Sequence, residues 1–95
     1  MSGKIHGKVV SIRDSGDAVT DIAMEQLDEA PTDENVSIQC EGHVTSCIFP
    51  AHHDQQAMTY LAKHGETGWL ELSLVGDSVQ AFLGIQSGSR VTVQW

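Results

Sequence analysis

The stretch GETGWLELSLVGDSVQAFLGIQSGSRVTVQW, residues 65–95, decides the fold. Across Trp69 to Val75 the apolar Leu70, Leu72 and Leu74 alternate with Trp69, Glu71 and Ser73, the two-residue period of a strand with one buried face. On that pattern Glu71 points outward as an exposed carboxylate that needs no partner. Trp69 and Trp95 read as hydrophobic anchors or interface side chains. Asp77 or Ser78 can accept the free amides of a new helix, on which Val79, Phe82 and Leu83 share one face, and Gly84 suits the left-handed position that ends it. That helix is one or two turns long. After the polar turn QSGS, Arg90 to Trp95 alternates again, with β-branched residues where a pleated surface favours them.

Working outward, Ile5 to Ile12 predicts a strand with Val10 and Ile12 on one face and Val9 on the other. Gly16, able to take a positive φ, centres a turn flanked by Asp14 and Asp17, and a second strand, Ala18 to Ile22, leaves it. Met24 to Ala30 allows one helical turn with Met24 and Leu27 inward, stopped by Pro31 and TDEN. Val36 to Cys40 and His43 to Phe49 are two strands joined by Glu41-Gly42, a tight hairpin connection, and Pro50 ends the pairing. Residues 51–64 leave two readings open. Asp54 can cap a helix running through Met58 and Leu61, or Met58 to Ala62 is a strand. The expected fold is mainly β: a small antiparallel barrel or sandwich of six to seven strands with one short helix near the C-terminus, in one domain spanning residues 1–95.

A chain of 95 residues has room for one modest core. Its formal charge is −8, and its only Lys and Arg residues are Lys4, Lys8, Arg13, Lys63 and Arg90. Five scattered cations do not neutralise a phosphate backbone, so no nucleic-acid partner is expected. Eight of the thirteen acidic residues lie between Asp14 and Glu34, a solvated face without calcium-loop spacing. There is no long apolar run and no basic-then-apolar leader, which predicts a soluble, cytoplasmic chain with no membrane partner.

Few residues carry chemistry. Cys40, His43, Cys47, His52 and His53 fall within fourteen positions and invite a zinc reading. Hairpin geometry opposes it. With Cys40 opposite His43, Cys47 pairs near Val36, and at about 3.3 Å per residue the thiols stand about 13 Å apart, too far for one disulfide or one tetrahedral metal. The cysteines are therefore expected to be reduced, with no metal site assigned and His52 and His53 on the surface. No nucleophile elbow, GxGxxG or phosphate loop is present, and no catalytic residue is assigned.

Taken together, Ile5-x-Gly7-x-Val9-x-x-Ile12, the Gly16 turn, Thr20-x-Ile22, Gly65-x-x-Gly68-x-Leu70-Glu71-Leu72, Leu83-Gly84 and Gly88-x-x-Val91-x-Val93 resemble the C-terminal β-barrel domain of the S-adenosylmethionine hydroxide adenosyltransferases, relatives of the fluorinases and chlorinases. The resemblance covers almost the whole chain and favours the strand reading of Met58 to Ala62. It implies a barrel that, in family enzymes, completes an S-adenosylmethionine site beside a separate catalytic domain in a trimer, and the expectation here is that barrel without the N-terminal catalytic domain.

The resemblance also implies ligand positions. The family's first turn carries an Asp for the methionine amine, then Phe-Gly-Asn, whose Asn reads adenine. Aligned on Gly16, those positions hold Arg13, Ser15 and Asp17, and a one-residue slip brings Asp14 to the amine. Arg13 repels an ammonium group, and Asp17 offers only acceptors where Asn offers both donor and acceptor. The family's Gly-Ser-x-Gly reads Gly65-Glu66-Thr67-Gly68, leaving Thr67 as the hydroxyl donor and setting Glu66 against the ligand's carboxylate. The expectation is a non-catalytic, stand-alone binding or assembly module that needs no cofactor and partners a separate catalytic domain or copies of itself. One alternative is a half-enzyme completing an S-adenosylmethionine or adenosine site in trans. Another is a metal- or thiol-based regulator using Cys40 and His43.

Overall fold

A computed structural model describes residues 3–50, 55–65 and 68–95. The strands are β1 (Lys4–Ile12), β2 (Ala18–Ala23), β3 (Ser37–Cys40), β4 (His43–Ser46), β5 (Ile48–Phe49), β6 (Tyr60–His64), β7 (Trp69–Leu74) and β8 (Arg90–Gln94), with a 3-10 turn at Met24–Leu27 and one helix, α1, at Val79–Leu83. They form one sheet in the order β4-β3-β8-β1-β2-β7-β6-β5, antiparallel throughout except for the β5–β6 pair.

The sheet curls until its edges nearly meet. At the seam the Thr45 hydroxyl of β4 donates to the Tyr60 carbonyl of β6 at 3.2 Å. β4 and β5 stand at opposite ends of the strand order yet are separated in sequence by Cys47 alone, whose φ is +72°. A side-chain-bearing residue in the left-handed region costs roughly 1 kcal/mol. Here it turns the chain from one sheet edge to the other. The expected single strand over His43 to Phe49 is thereby split, and the six to seven expected strands become eight. The architecture is a nearly closed barrel rather than two facing sheets.

The Glu41-Gly42 connection is the expected tight hairpin. Both residues have positive φ, +52° and +81°, and Cys40 pairs with His43 as that turn requires. In α1 the Ser78 hydroxyl accepts from the Ala81 N–H at 3.2 Å, and Gly84 ends the helix at φ +72°. Val79 is buried as expected, but Phe82 is exposed, because five residues cannot wrap a full apolar stripe onto the barrel. The strand expected over Met58 to Ala62 sits two residues later, since Met58 itself adopts φ +68° and turns the chain into β6. Asp54, the alternative helix cap, lies outside the described residues.

Inside, Val9, Ile22, Ile38, Leu70, Leu72 and Val93 anchor a continuous core, each contributing roughly 1.5–3 kcal/mol by leaving water. Two irregularities shape it. Val9 pairs with Thr20 and Ser11 with Val19, so Val10 is a bulge residue and stands outside the core. Between Val19 and Ala23 the β2–β7 register slips, and the buried Thr20 hydroxyl fills the gap. It donates to the Leu70 carbonyl at 2.7 Å and accepts from the Ile22 N–H at 3.2 Å. These two ladder groups would otherwise be buried without a partner, at about 1–3 kcal/mol each.

Candidate functional site

One end of the barrel gathers charge. Its foundation is the β1–β2 turn, where the Arg13 N–H donates to the Asp17 carbonyl and the Gly16 N–H to the Arg13 carbonyl, both at 2.8 Å. Gly16 has φ +94°, and a Cβ there would fall 2.7 Å from the Ser78 Cα. Only glycine lets this turn pack on the start of α1, which it then holds through a 3.0 Å bond from the Val79 N–H to the Gly16 carbonyl. Beside the turn, Lys63 on β6 pairs with Glu71 on β7, and Glu71 with Val19 on β2.

Two ion pairs tie these elements together. Lys63 Nζ donates to Asp17 Oδ2 at 2.7 Å, with side-chain exposures of only 16% and 11%. Arg13 Nη1 reaches Glu71 Oε2 at 3.2 Å and Oε1 at 3.4 Å. The Glu71 side chain is fully buried while that of Arg13 is 42% exposed. Glu71 is thus no outward-facing surface carboxylate. The turn folds over the outer face of β7, and Gly65 approaches so closely that a Cβ would lie 2.5 Å from Glu71 Oε2. A buried carboxylate is destabilising unless paired, and Arg13 supplies the pairing.

Burial is the largest influence on Asp17 and pushes its carboxyl upward. It is outweighed by hydrogen bonds from Lys63 and Ser73, the Lys63 charge and the Ser15 hydroxyl, which together hold Asp17 below the ordinary carboxylate value. Ser15 Oγ donates to Asp17 Oδ2 at 3.3 Å.

Of the positions aligned with the family's ligand turn, the structure brings Asp17, expected to touch ligand, and Arg13 and Ser15, expected as departures from the family pattern, to this end, with one another, Lys63 and Glu71 as partners. Asp14 is exposed in the turn. Glu66 and Thr67 lie outside the described residues. Lys63, Glu71 and Ser73 are members that the strand pattern alone did not reveal. The signal for them was the register, which sets Lys63 opposite Glu71 on the face that the alternation assigned to solvent.

The seam holds a second group of reactive types. Cys40 is fully buried, and burial first and the Glu41 charge second push its thiol up to about 11. It stays protonated and unreactive at neutral pH. The His43 ring stacks edge-on against Tyr60 at 6.1 Å, and its Nε2 lies 3.1 Å from the Leu83 carbonyl. The Tyr60 hydroxyl is buried without a hydrogen-bond partner among the described residues, and burial, then Cys40, raises its pKa. Cys40 and Cys47 are free thiols, and no three His, Cys, Asp or Glu side chains among the described residues group to hold a metal. His52 and His53 lie outside those residues. No described helix is long and apolar enough to cross a membrane.

No family model matches the chain, and no curated protein matches it by sequence. Solved structures do match. A conserved hypothetical protein from Thermus thermophilus superposes with a TM-score of 0.69 at 18% identity, over 93% of this chain and 32% of that one. An uncharacterized conserved protein from Thermotoga maritima superposes with a TM-score of 0.76 at 17% identity, over 95% of this chain and 35% of that one. At such identity the likeness is one of fold. The chain spans about a third of the length of these proteins, as a barrel that recurs as one part of larger chains.

Proposed function

We propose that this barrel is a non-catalytic binding or assembly module, related in fold to the C-terminal domain of the S-adenosylmethionine hydroxide adenosyltransferases that its sequence resembles. The observation that carries this reading is the internal pairing of the charged end. Asp17, which stands where the family reads adenine, gives its carboxylate to Lys63, and Arg13, which stands where the family holds the methionine amine, gives its guanidinium to Glu71. These described residues do not fit S-adenosylmethionine. A ligand adenine would have to displace Lys63 from a 2.7 Å contact that little water reaches, and the ligand's ammonium would meet the Arg13 charge. The recurrence of the fold as about a third of longer proteins is in keeping with a barrel that serves another domain or another copy.

The test is chemical. Transfer of an adenosyl group from S-adenosylmethionine to hydroxide releases adenosine and methionine. Pure protein incubated with S-adenosylmethionine is expected to release neither above the buffer rate. Adenosine release in proportion to protein concentration, and lost on denaturation, would contradict the proposal.

A further inference from the structure

We infer that β4 is a releasable strap, which detaches from the seam while the rest of the barrel stays folded and which, in place, closes over the Cys40 thiol and the Tyr60 hydroxyl. Of the eight strands, β4 alone has no fully buried residue. His43 and Thr45 are half-buried, Ser46 is exposed, and Val44 is 59% exposed. A segment with so little buried apolar surface sits at the low-stability end of a fold. Towards β3 it has a ladder of four residue pairs, from Cys40 with His43 to Ser37 with Ser46. Towards β6 it has no ladder among the described residues. There the Thr45 hydroxyl donates to the Tyr60 carbonyl at 3.2 Å, the His43 ring stands edge-on to Tyr60, and the His43 Nε2–H donates to the Leu83 carbonyl at 3.1 Å.

Both ends of the strap are held in backbone conformations that favour its release. Among the described residues three side-chain-bearing positions have a positive φ: Glu41, Cys47 and Met58. Glu41 enters β4, Cys47 leaves it, and Met58 stands two residues before β6 on the other side of the seam. The Glu41-Gly42 turn places a glutamate where Asn, Asp or Gly accept the positive φ with less penalty. Detachment lets Glu41 and Cys47 relax to ordinary backbone angles, so the closed seam carries the strain and the open one does not.

The Tyr60 hydroxyl adds an independent argument. It is buried without a hydrogen-bond partner among the described residues while the seam is closed, a state that is costly for a polar group and that water relieves once β4 moves away. Release has a defined outcome. β3 becomes an edge strand over Ser37 to Cys40, and the gap between β3 and β6 opens beside the inward-facing Cys40. Protonated and unreactive in the closed barrel, that thiol then meets solvent as an ordinary one.

Thiol labelling tests the strap. Cys47→Ala leaves Cys40 as the only thiol and keeps a side chain in the left-handed corner. In this background, alkylation by iodoacetamide, in which the thiolate displaces iodide, is followed by mass spectrometry and compared with urea unfolding of the same protein. Cys40 is expected to label at least tenfold faster than global unfolding allows, and with a weaker dependence on urea, because freeing one strand exposes less surface than unfolding the chain. Thr45→Val, which removes the seam bond, is expected to speed labelling about fivefold, and Tyr60→Phe, which removes the orphan hydroxyl, to slow it at least fivefold. Cys47→Gly in place of Cys47→Ala should slow it roughly fivefold, since glycine has no left-handed strain to release. Asp17→Ala is the discriminating variant: its ion pair survives release of β4, so global stability falls while the labelling rate stays within about twofold. Labelling that equals the global unfolding limit at every urea concentration, or that rises with Asp17→Ala in proportion to its lost stability, overturns the inference. So does a rate that Thr45→Val leaves unchanged or that Tyr60→Phe increases.

Discussion

Replacing Gly65 with alanine is expected to cost about 3 kcal/mol of folding stability, the upper end of ordinary overpacking. Gly65 bonds the Trp69 carbonyl through its N–H and the Gly68 N–H through its carbonyl, both at 3.0 Å, so the backbone is held on both sides. A Cβ would overlap the Trp69 carbonyl oxygen and sit 2.5 Å from Glu71 Oε2. The first is backbone, which cannot swing aside. The second belongs to a side chain with no exposed surface, whose movement would break its contact with Arg13. At about 4–8 °C per kcal/mol for a domain of this size, the melting temperature should fall by roughly 12–24 °C. Gly42→Ala is the control, since nothing lies within 4 Å of the added carbon and only the positive φ is penalised, at roughly 1 kcal/mol. Thermal or urea unfolding decides. If both variants lose the same amount, the close approach at Gly65 does not hold the charged end together.

Asp17→Ala is expected to cost about 2–3 kcal/mol. Removing one partner of a buried pair costs about 3–5 kcal/mol, and the 16% exposure of Lys63, which lets water reach its ammonium group, brings the figure down. The sign of the pH effect follows from the direction of the shift. The folded pKa of Asp17 is lowered, so its contribution is complete above the unfolded value of about 3.9 and is lost as pH falls through that value and on through the folded one. Urea unfolding from neutral to strongly acidic pH should show this component in the wild type and lack it in Asp17→Ala. Asp17→Leu combined with Lys63→Met should recover most of the stability, because no unpaired charge remains. A double variant as unstable as Asp17→Ala would mean that the loss comes from something other than the unpaired charge.

How far the fold was legible depended on how local its causes were. The Glu41-Gly42 hairpin, the Gly16 turn, the Ser78 and Gly84 caps and the strands β7 and β8 rest on residues a few positions apart, and their outlines were readable from the chain. Cys47 was not, because nothing in a run of alternating apolar residues announces a left-handed corner; closure of the sheet imposes it. The Val10 bulge is of the same kind, since it is seen only against β2. Period-two alternation separates the two faces of a strand but does not say that both are covered, and β7 is buried along both faces from Leu70 to Leu74. That is why Glu71 read as a surface carboxylate. The charged end was half legible: Arg13, Ser15 and Asp17 were singled out by aligning the Gly16 turn with the family, the first two as departures from its pattern, whereas the partnership of Lys63 and Glu71 with them required the β6–β7 register.

The central claim, that the charged end serves the fold and not a ligand, is tested most directly by titrating S-adenosylmethionine into isotope-labelled protein to millimolar concentration and following the amides of Arg13 to Asp17 and the side chain of Lys63 by NMR. The account predicts no saturable shift at these positions, and an unchanged Lys63 ammonium environment. A saturable shift centred on Asp17 and Lys63, abolished in Asp17→Ala, would contradict it and would assign the site to the ligand.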